Sequence, residues 1–150
     1  MPAPILLVED NADDVLFLQR AFRTSTIDTS LRVVTDGAAA IDYLMGQGEY
    51  ADRSAHPLPA LMLLDVNLPA ASGFVVLRWL REQPRLRRLP VVMLSSSSQD
   101  ADVALAYDLG VNSYIVKPSG LKQVADLAKQ LEAYWLTLNH RPSIADDDPR

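Results

Sequence analysis

The chain has 150 residues, 49% of them hydrophobic and 22% charged, the profile of one compact domain with enough apolar surface for a core. Without a single cysteine it can form no disulfide, no thiolate metal site and no cysteine nucleophile. The net charge of −5 and the lack of any apolar run near the roughly 20 residues of a membrane helix argue against nucleic-acid and membrane partners, and the opening Met1-Pro2-Ala3-Pro4 is not a basic-then-apolar leader, so cytoplasmic residence is expected.

Ile5 to Val8 is an apolar run ending in Glu9-Asp10, after which Asn11 is placed to cap a helix with Val15, Leu18 and Phe22 at helical spacing. Leu31 to Val34 predicts a second strand ending near Asp36-Gly37, followed by a helix whose inward face is Ile41, Leu44 and Met45 and which Gly46 and Gly48 stop. A polar, proline-bearing connection from Gln47 to Ala60, longer than usual between helix and strand, leads to the most apolar stretch, Leu61-Met62-Leu63-Leu64. That run is too short for a typical helix and fits a strand covered on both faces, delivering Asp65 to its carboxyl end before Pro69 stops it. Ser72 can cap a third helix with Phe74, Leu77 and Leu80; a fourth strand, Val91 to Leu94, runs into Ser95 to Ser98, of which Ser96, Ser97 and Ser98 are expected to cap a fourth helix, aided by Asp100 in its first turn. Ser113 to Val116 forms a fifth strand ending in Lys117-Pro118, and Ser119 is expected to cap a last helix to about Leu138. The domain is therefore placed at 1–138. The remaining 139–150, with Asp146-Asp147-Asp148 and two prolines, is read as an acidic flexible tail without apolar surface to bury.

Alternation of strands and helices predicts a single α/β domain with a parallel sheet, and in such sheets ligands bind at the carboxyl ends of the strands. Those ends carry Glu9, Asp10, Asp65, Ser95 and Lys117. Clustered carboxylates repel one another unless a hard divalent cation neutralises them, and an oxygen-only donor set suits Mg²⁺ or Mn²⁺. A hydroxyl at Ser95 and an ammonium at Lys117 suit the oxygens of a phosphoryl group on one carboxylate, with Asp65 the natural acceptor because its strand is central.

This set, in this order on successive strand ends, resembles the receiver domain of two-component response regulators, over roughly residues 4–138. The resemblance implies a flavodoxin-like (βα)5 three-layer sandwich with a parallel sheet of order 2-1-3-4-5. It implies that Asp65 accepts a phosphoryl group from a partner histidine kinase, with metal held by Asp10, Asp65 and the backbone carbonyl of Asn67, and by Glu9 through water. It makes Ser95 the hydroxyl that turns toward the phosphoryl group, Tyr114 the aromatic switch residue, and Lys117 the phosphoryl contact, with Asn67 and Ser97 tuning dephosphorylation. The long 47–60 connection, the segment Ser113 to Pro118 and the terminal Tyr134-Trp135-Leu136 look most like the phytochrome-associated single-domain response regulators, so a bacteriophytochrome is the expected kinase. Two positions depart from the common pattern: Ser119, where many receivers carry Phe, and Ser95 in place of Thr.

The expected output is a population shift in the fourth helix, fifth strand and fifth helix toward a downstream protein target not identifiable from sequence. On the last helix Leu121, Val124, Ala128, Leu131 and Trp135 make the core stripe, while Leu127, Tyr134 and Leu138 form a second apolar side read as a homodimer face. Asp13 and Asp14 are assigned to the helix macrodipole, and His56 and His140 to solvent. The competing functions are a phosphate sink without a dedicated output and, further off, a Mg²⁺-dependent phosphohydrolase, which would need a further acid/base carboxylate and a substrate cap.

Overall fold

The computed structural model describes residues 3–24 and 30–144. Five strands, β1 (Ile5–Val8), β2 (Leu31–Val34), β3 (Leu61–Leu64), β4 (Val91–Ser95) and β5 (Ser113–Val116), alternate with five helices, α1 (Ala12–Arg23), α2 (Gly37–Met45), α3 (Gly73–Arg81), α4 (Asp100–Asp108) and α5 (Leu121–Leu131). The sheet is parallel throughout, in the order β2-β1-β3-β4-β5. Fold class and strand order are those expected.

Period-2 alternation splits the strand side chains between two cores. Leu6, Val8, Met62, Leu64 and Met93 join Tyr43, Val76, Leu77, Leu80 and Ala106 on the side of α2, α3 and α4. Ile5, Leu7, Leu61, Leu63, Val92 and Leu94 join Leu18, Phe22, Val124, Ala128 and Leu131 on the side of α1 and α5. All four residues of β1 and of β3 are buried, as a strand covered by helices on both faces requires. The register pairs Val8 with Val34 on one side and with Leu64 on the other, which sets Glu9 and Asp65 side by side just past the strand ends.

Asn11 and Ser72 cap α1 and α3 as expected, accepting from the amides of Asp14 and Val75. Two expected caps are not used. Gln99 and Gly120 hold the N-cap positions of α4 and α5, and neither supplies a side-chain cap. Ser97 instead accepts from the Gln99 amide at 3.3 Å and donates to Asp102 Oδ2 at 2.5 Å, tying the loop to the first turn of α4 from outside it.

The inward face of α2 is Ala40, Tyr43 and Leu44, with Ile41 partly buried, whereas Met45 is half exposed. Tyr43 takes the core position because its hydroxyl finds a partner, the Pro57 carbonyl at 2.8 Å, in the long connection. That connection, with a single 3₁₀ turn at Gly48–Tyr50, is held by Arg53, whose guanidinium donates to the carbonyls of Tyr43, Leu44 and His56. It thereby satisfies acceptors that the end of α2 leaves open. His56, read from sequence as solvated, packs edge-on against Tyr43 and Tyr50.

Beyond Leu131 the last helix widens into π-helical turns, Glu132–Leu138, closed by an i→i+5 bond from the Asn139 amide to the Tyr134 carbonyl at 2.6 Å. Leu121, assigned to the core stripe, is 62% exposed because it opens the helix in its first turn, beyond the strand ends. Of the segment 139–150, residues 145–150 lie outside the described residues. Within 139–144 Ile144 packs partly buried against the α2/α3 core, an apolar contact the composition of the segment did not suggest.

Candidate functional site

At the carboxyl ends of β1, β3 and β5 the structure gathers most of the chemistry read from the sequence. Single carboxylate oxygens of Glu9, Asp10 and Asp65 lie within 4.8 Å of one another. Glu9 and Asp65 are buried and Asp10 is exposed. Asp65 is fixed by its amide, which donates to the Val8 carbonyl at 3.0 Å. Behind it the chain turns tightly: a Cβ on Gly73 would stand 2.1 Å from the Asp65 carbonyl oxygen, and the Gly73 amide donates to the Val66 carbonyl at 2.8 Å. Any side chain at 73 would push against the backbone that presents Asp65. The same connection contains Ala70 at φ +68°, a left-handed conformation that costs an L-residue roughly 1–2 kcal/mol.

Lys117 leaves the end of β5 and reaches back across the site. Its Nζ lies 2.6 Å from Glu9 Oε1, 2.9 Å from Asp14 Oδ2 and 3.4 Å from Asp65 Oδ2. Burial alone would lower its pKa, but the hydrogen bonds it donates to Glu9 and Asp14 and the nearby Asp65 charge outweigh it and hold the ammonium above the ordinary lysine range. Burial works the other way on Glu9 and pushes its carboxyl up to about 7, against the lowering effect of Lys117 and the Asn11 amide. A carboxylate this reluctant to ionise, beside two others, is a group whose charged form a divalent cation would favour. The donor set, three carboxylates and no nitrogen or sulfur, fits a hard cation.

Ser95, Ser97 and Tyr114 lie together on the β4 side. Ser95 is buried, and its hydroxyl accepts from the Ser97 amide at 3.1 Å. Tyr114 is already partly buried against the α2/α3 core, its hydroxyl donating to the Ser97 carbonyl at 2.9 Å. Asn67 is exposed in the β3–α3 connection. On the last helix Leu127 is partly buried against the α1/α5 core, whereas Tyr134 and Leu138 are exposed. Asp14 was missed as a site residue. Its place in the first turn of the helix that opens directly after Glu9-Asp10 was the available signal.

A parallel sheet of order β2-β1-β3-β4-β5 with an acidic corner at its carboxyl ends is the arrangement of receiver domains. Residues 5–129 match the family described as response regulator receiver domain, and the chain belongs to it. Response regulator Rcp1 of Synechocystis sp. is 42% identical over 135 residues, covering 90% of each chain. Among solved structures, the phosphorylated cyanobacterial phytochrome response regulator RcpA is 40% identical with a TM-score of 0.88, covering 95% of this chain and all of that one. The Mn²⁺-bound form of Rcp1 is 41% identical with a TM-score of 0.85 and the same coverage. Among the described residues no helix is long and apolar enough to cross a membrane.

Proposed function

We propose that the chain is a phosphoacceptor switch: Asp65 takes a phosphoryl group from a sensor histidine kinase, in a Mg²⁺- or Mn²⁺-dependent reaction, and the change is read by protein contacts. The convergence of the buried Asp65 carboxylate with Glu9, Asp10 and Lys117 at the strand ends supports this reading most strongly. Asp10, Asp65 and the Asn67 backbone carbonyl, with Glu9 through water, would hold the cation, which supplies the positive charge that lets an anionic donor approach an acidic site.

The protein's own groups do the rest by position. An oxygen of the ionised Asp65 attacks phosphorus in line, the histidine nitrogen leaves with its electron pair, and an acyl phosphate remains on Asp65. Lys117 moves a donor from the Asp65 carboxylate to a phosphoryl oxygen. Ser95 gives up the Ser97 amide and donates its hydroxyl to another. Because the Ser97 carbonyl also accepts from Tyr114, movement of this loop is felt in β5, and through the Ser97–Asp102 bond in α4. Asn67 and Ser97, flanking the acceptor, tune loss of the phosphate.

Leu105, Tyr107, Val116 and Leu121 are exposed on α4, β5 and α5, a surface on which a downstream protein could read the shift. Tyr134 and Leu138, with Leu127 at their edge, form the contact of a two-fold homodimer. A wild-type protein that sediments as a dimer and a Tyr134→Glu protein that sediments as a monomer is the expected pair of results; two monomers would remove the dimer. The resemblance to RcpA and Rcp1 points to a bacterial phytochrome as the kinase. Such a kinase, phosphorylated and mixed with Mg²⁺, should label the wild type and leave Asp65→Asn unlabelled. Equal labelling of both would reject Asp65 as acceptor.

A further inference from the structure

Lysine offers three donors and no acceptor, and in this site all three are taken by carboxylates. The Glu9 and Asp14 contacts are short, and the Asp65 contact is the longest at 3.4 Å. Lys117 is therefore drawn toward α1 and stands off from the acceptor. Its partner on that side is Asp14, the third residue of α1, whose amide donates to Asn11 Oδ1 at 3.0 Å.

In a capping box the side chain at this helical position reaches back to the amide of the capping residue. Here that amide, of Asn11, already donates to Glu9 Oε2 at 3.1 Å. Glu9 thus uses one oxygen on the cap and the other on Lys117, and the Asp14 carboxylate is released from capping to meet the ammonium. Beyond the pair lies a cavity of about 320 Å³ between α1 and the β5–α5 connection, walled by Phe17, Leu18, Leu94, Val124 and Leu127. Ser119 is the one further polar side chain on these walls, and it carries no charge, so without Asp14 the charged partners left to Lys117 are Glu9 and Asp65.

We propose that Asp14 is a positioning residue that holds the Lys117 ammonium toward α1 and off the acceptor carboxylate until a phosphoryl group offers better oxygens. The proposal rests on Asp65 being the phosphoacceptor. Asp14 acts as a counterweight: part of the energy of the Lys117–phosphoryl contact is spent breaking the Asp14 contact, so a chain without Asp14 grips the phosphorylated form more tightly. Asp14 is about one-third exposed, and a pair of that kind is worth a factor of up to about five in an equilibrium constant.

Beryllofluoride, a phosphoryl mimic that binds an ionised aspartate without covalent transfer, isolates this effect. Its affinity is measured with Mg²⁺ for the wild type, Asp14→Asn, Asp14→Glu and Asp13→Asn. Asp14→Asn should bind severalfold more tightly and Asp14→Glu should return to wild type. Asp13→Asn, which removes the same charge from an exposed neighbour, should change little. Loss of a merely structural cap would weaken binding, so the sign separates the two roles. Weaker or unchanged binding in Asp14→Asn, or an equal gain in Asp13→Asn, overturns the proposal. Asp65→Asn is the separate control: if it binds the probe as well as wild type, the acceptor assignment has failed, and the Asp14 proposal falls with it.

Discussion

The two ends of the parallel sheet each immobilise a long cation, and they do so in opposite ways. At the amino end Arg81 donates from Nε to the Gly110 carbonyl at 2.8 Å, from Nη1 to the carbonyls of Arg87 at 2.9 Å and Leu89 at 2.7 Å, and from Nη2 to Asn112 Oδ1 at 2.8 Å. Neutral acceptors from two loops, three backbone carbonyls and one side-chain amide, surround a planar fork that cannot lose its proton. At the carboxyl end Lys117 is held by Glu9, Asp14 and Asp65, all ionisable and all able to find another partner. A charge fixed by backbone carbonyls is a rivet, because nothing in solution competes for it. A charge fixed by carboxylates can be taken over by a cation or a phosphoryl group, and that exchange is what a switch needs.

Removing the rivet should have the largest effect. Arg81→Ala takes the guanidinium donor from three carbonyls and from Asn112 Oδ1, which keeps the Val91 amide, and is expected to lower stability by about 3 kcal/mol in urea unfolding. Added Mg²⁺ should restore none of it. Recovery with Mg²⁺ would erase the distinction between the two ends.

Next comes the response to pH of the metal-free chain. Glu9 titrates at about 7 when folded against 4.5 for the free side chain, so between these values the folded state binds more protons than the unfolded one. Stability should therefore fall as pH rises from about 4.5 to 7, by roughly 2–3 kcal/mol, and Mg²⁺ should flatten the curve by favouring the ionised form. Thermal unfolding across this range, with and without Mg²⁺, measures both; a Glu9→Gln protein with an unchanged curve would assign the slope to another group.

Lys117→Ala should give the smallest change and the most telling one. In chelator it leaves three carboxylates facing each other and lowers stability by about 1–2 kcal/mol; with Mg²⁺ most of that loss should be recovered. A loss equal in both conditions would mean that Lys117 is held as rigidly as Arg81.

Much of this contrast was legible from residue order. Apolar runs that end in Glu9-Asp10, Asp65, Ser95 and Lys117 can only bring those groups together if the strands lie parallel, and the observed register does so. Arg81 was not legible, because three of its acceptors are backbone carbonyls, up to 29 residues away, with no signature in side-chain identity, and the fourth, Asn112 Oδ1, lies 31 residues away in another loop. The placement of Tyr43 rather than Met45 in the core depended on the Pro57 carbonyl, which only the folded 47–60 connection brings within reach.

The sequence by itself determined the alternation of strands and helices and the identity of the groups at the strand ends, since periodicity and strand-terminal residues are local properties of the chain; the order of the strands followed only from the resemblance to receiver domains. Only the tertiary structure decided how those groups share their bonds: that Glu9 serves both the cap of α1 and Lys117, that Asp14 is thereby released to join them, and that Ser97 ties its loop to Asp102 instead of capping α4. The reason is competition. Each donor and acceptor has several partners permitted by sequence, and which one it takes is set by differences of a few tenths of an ångström that appear when all the elements are packed together.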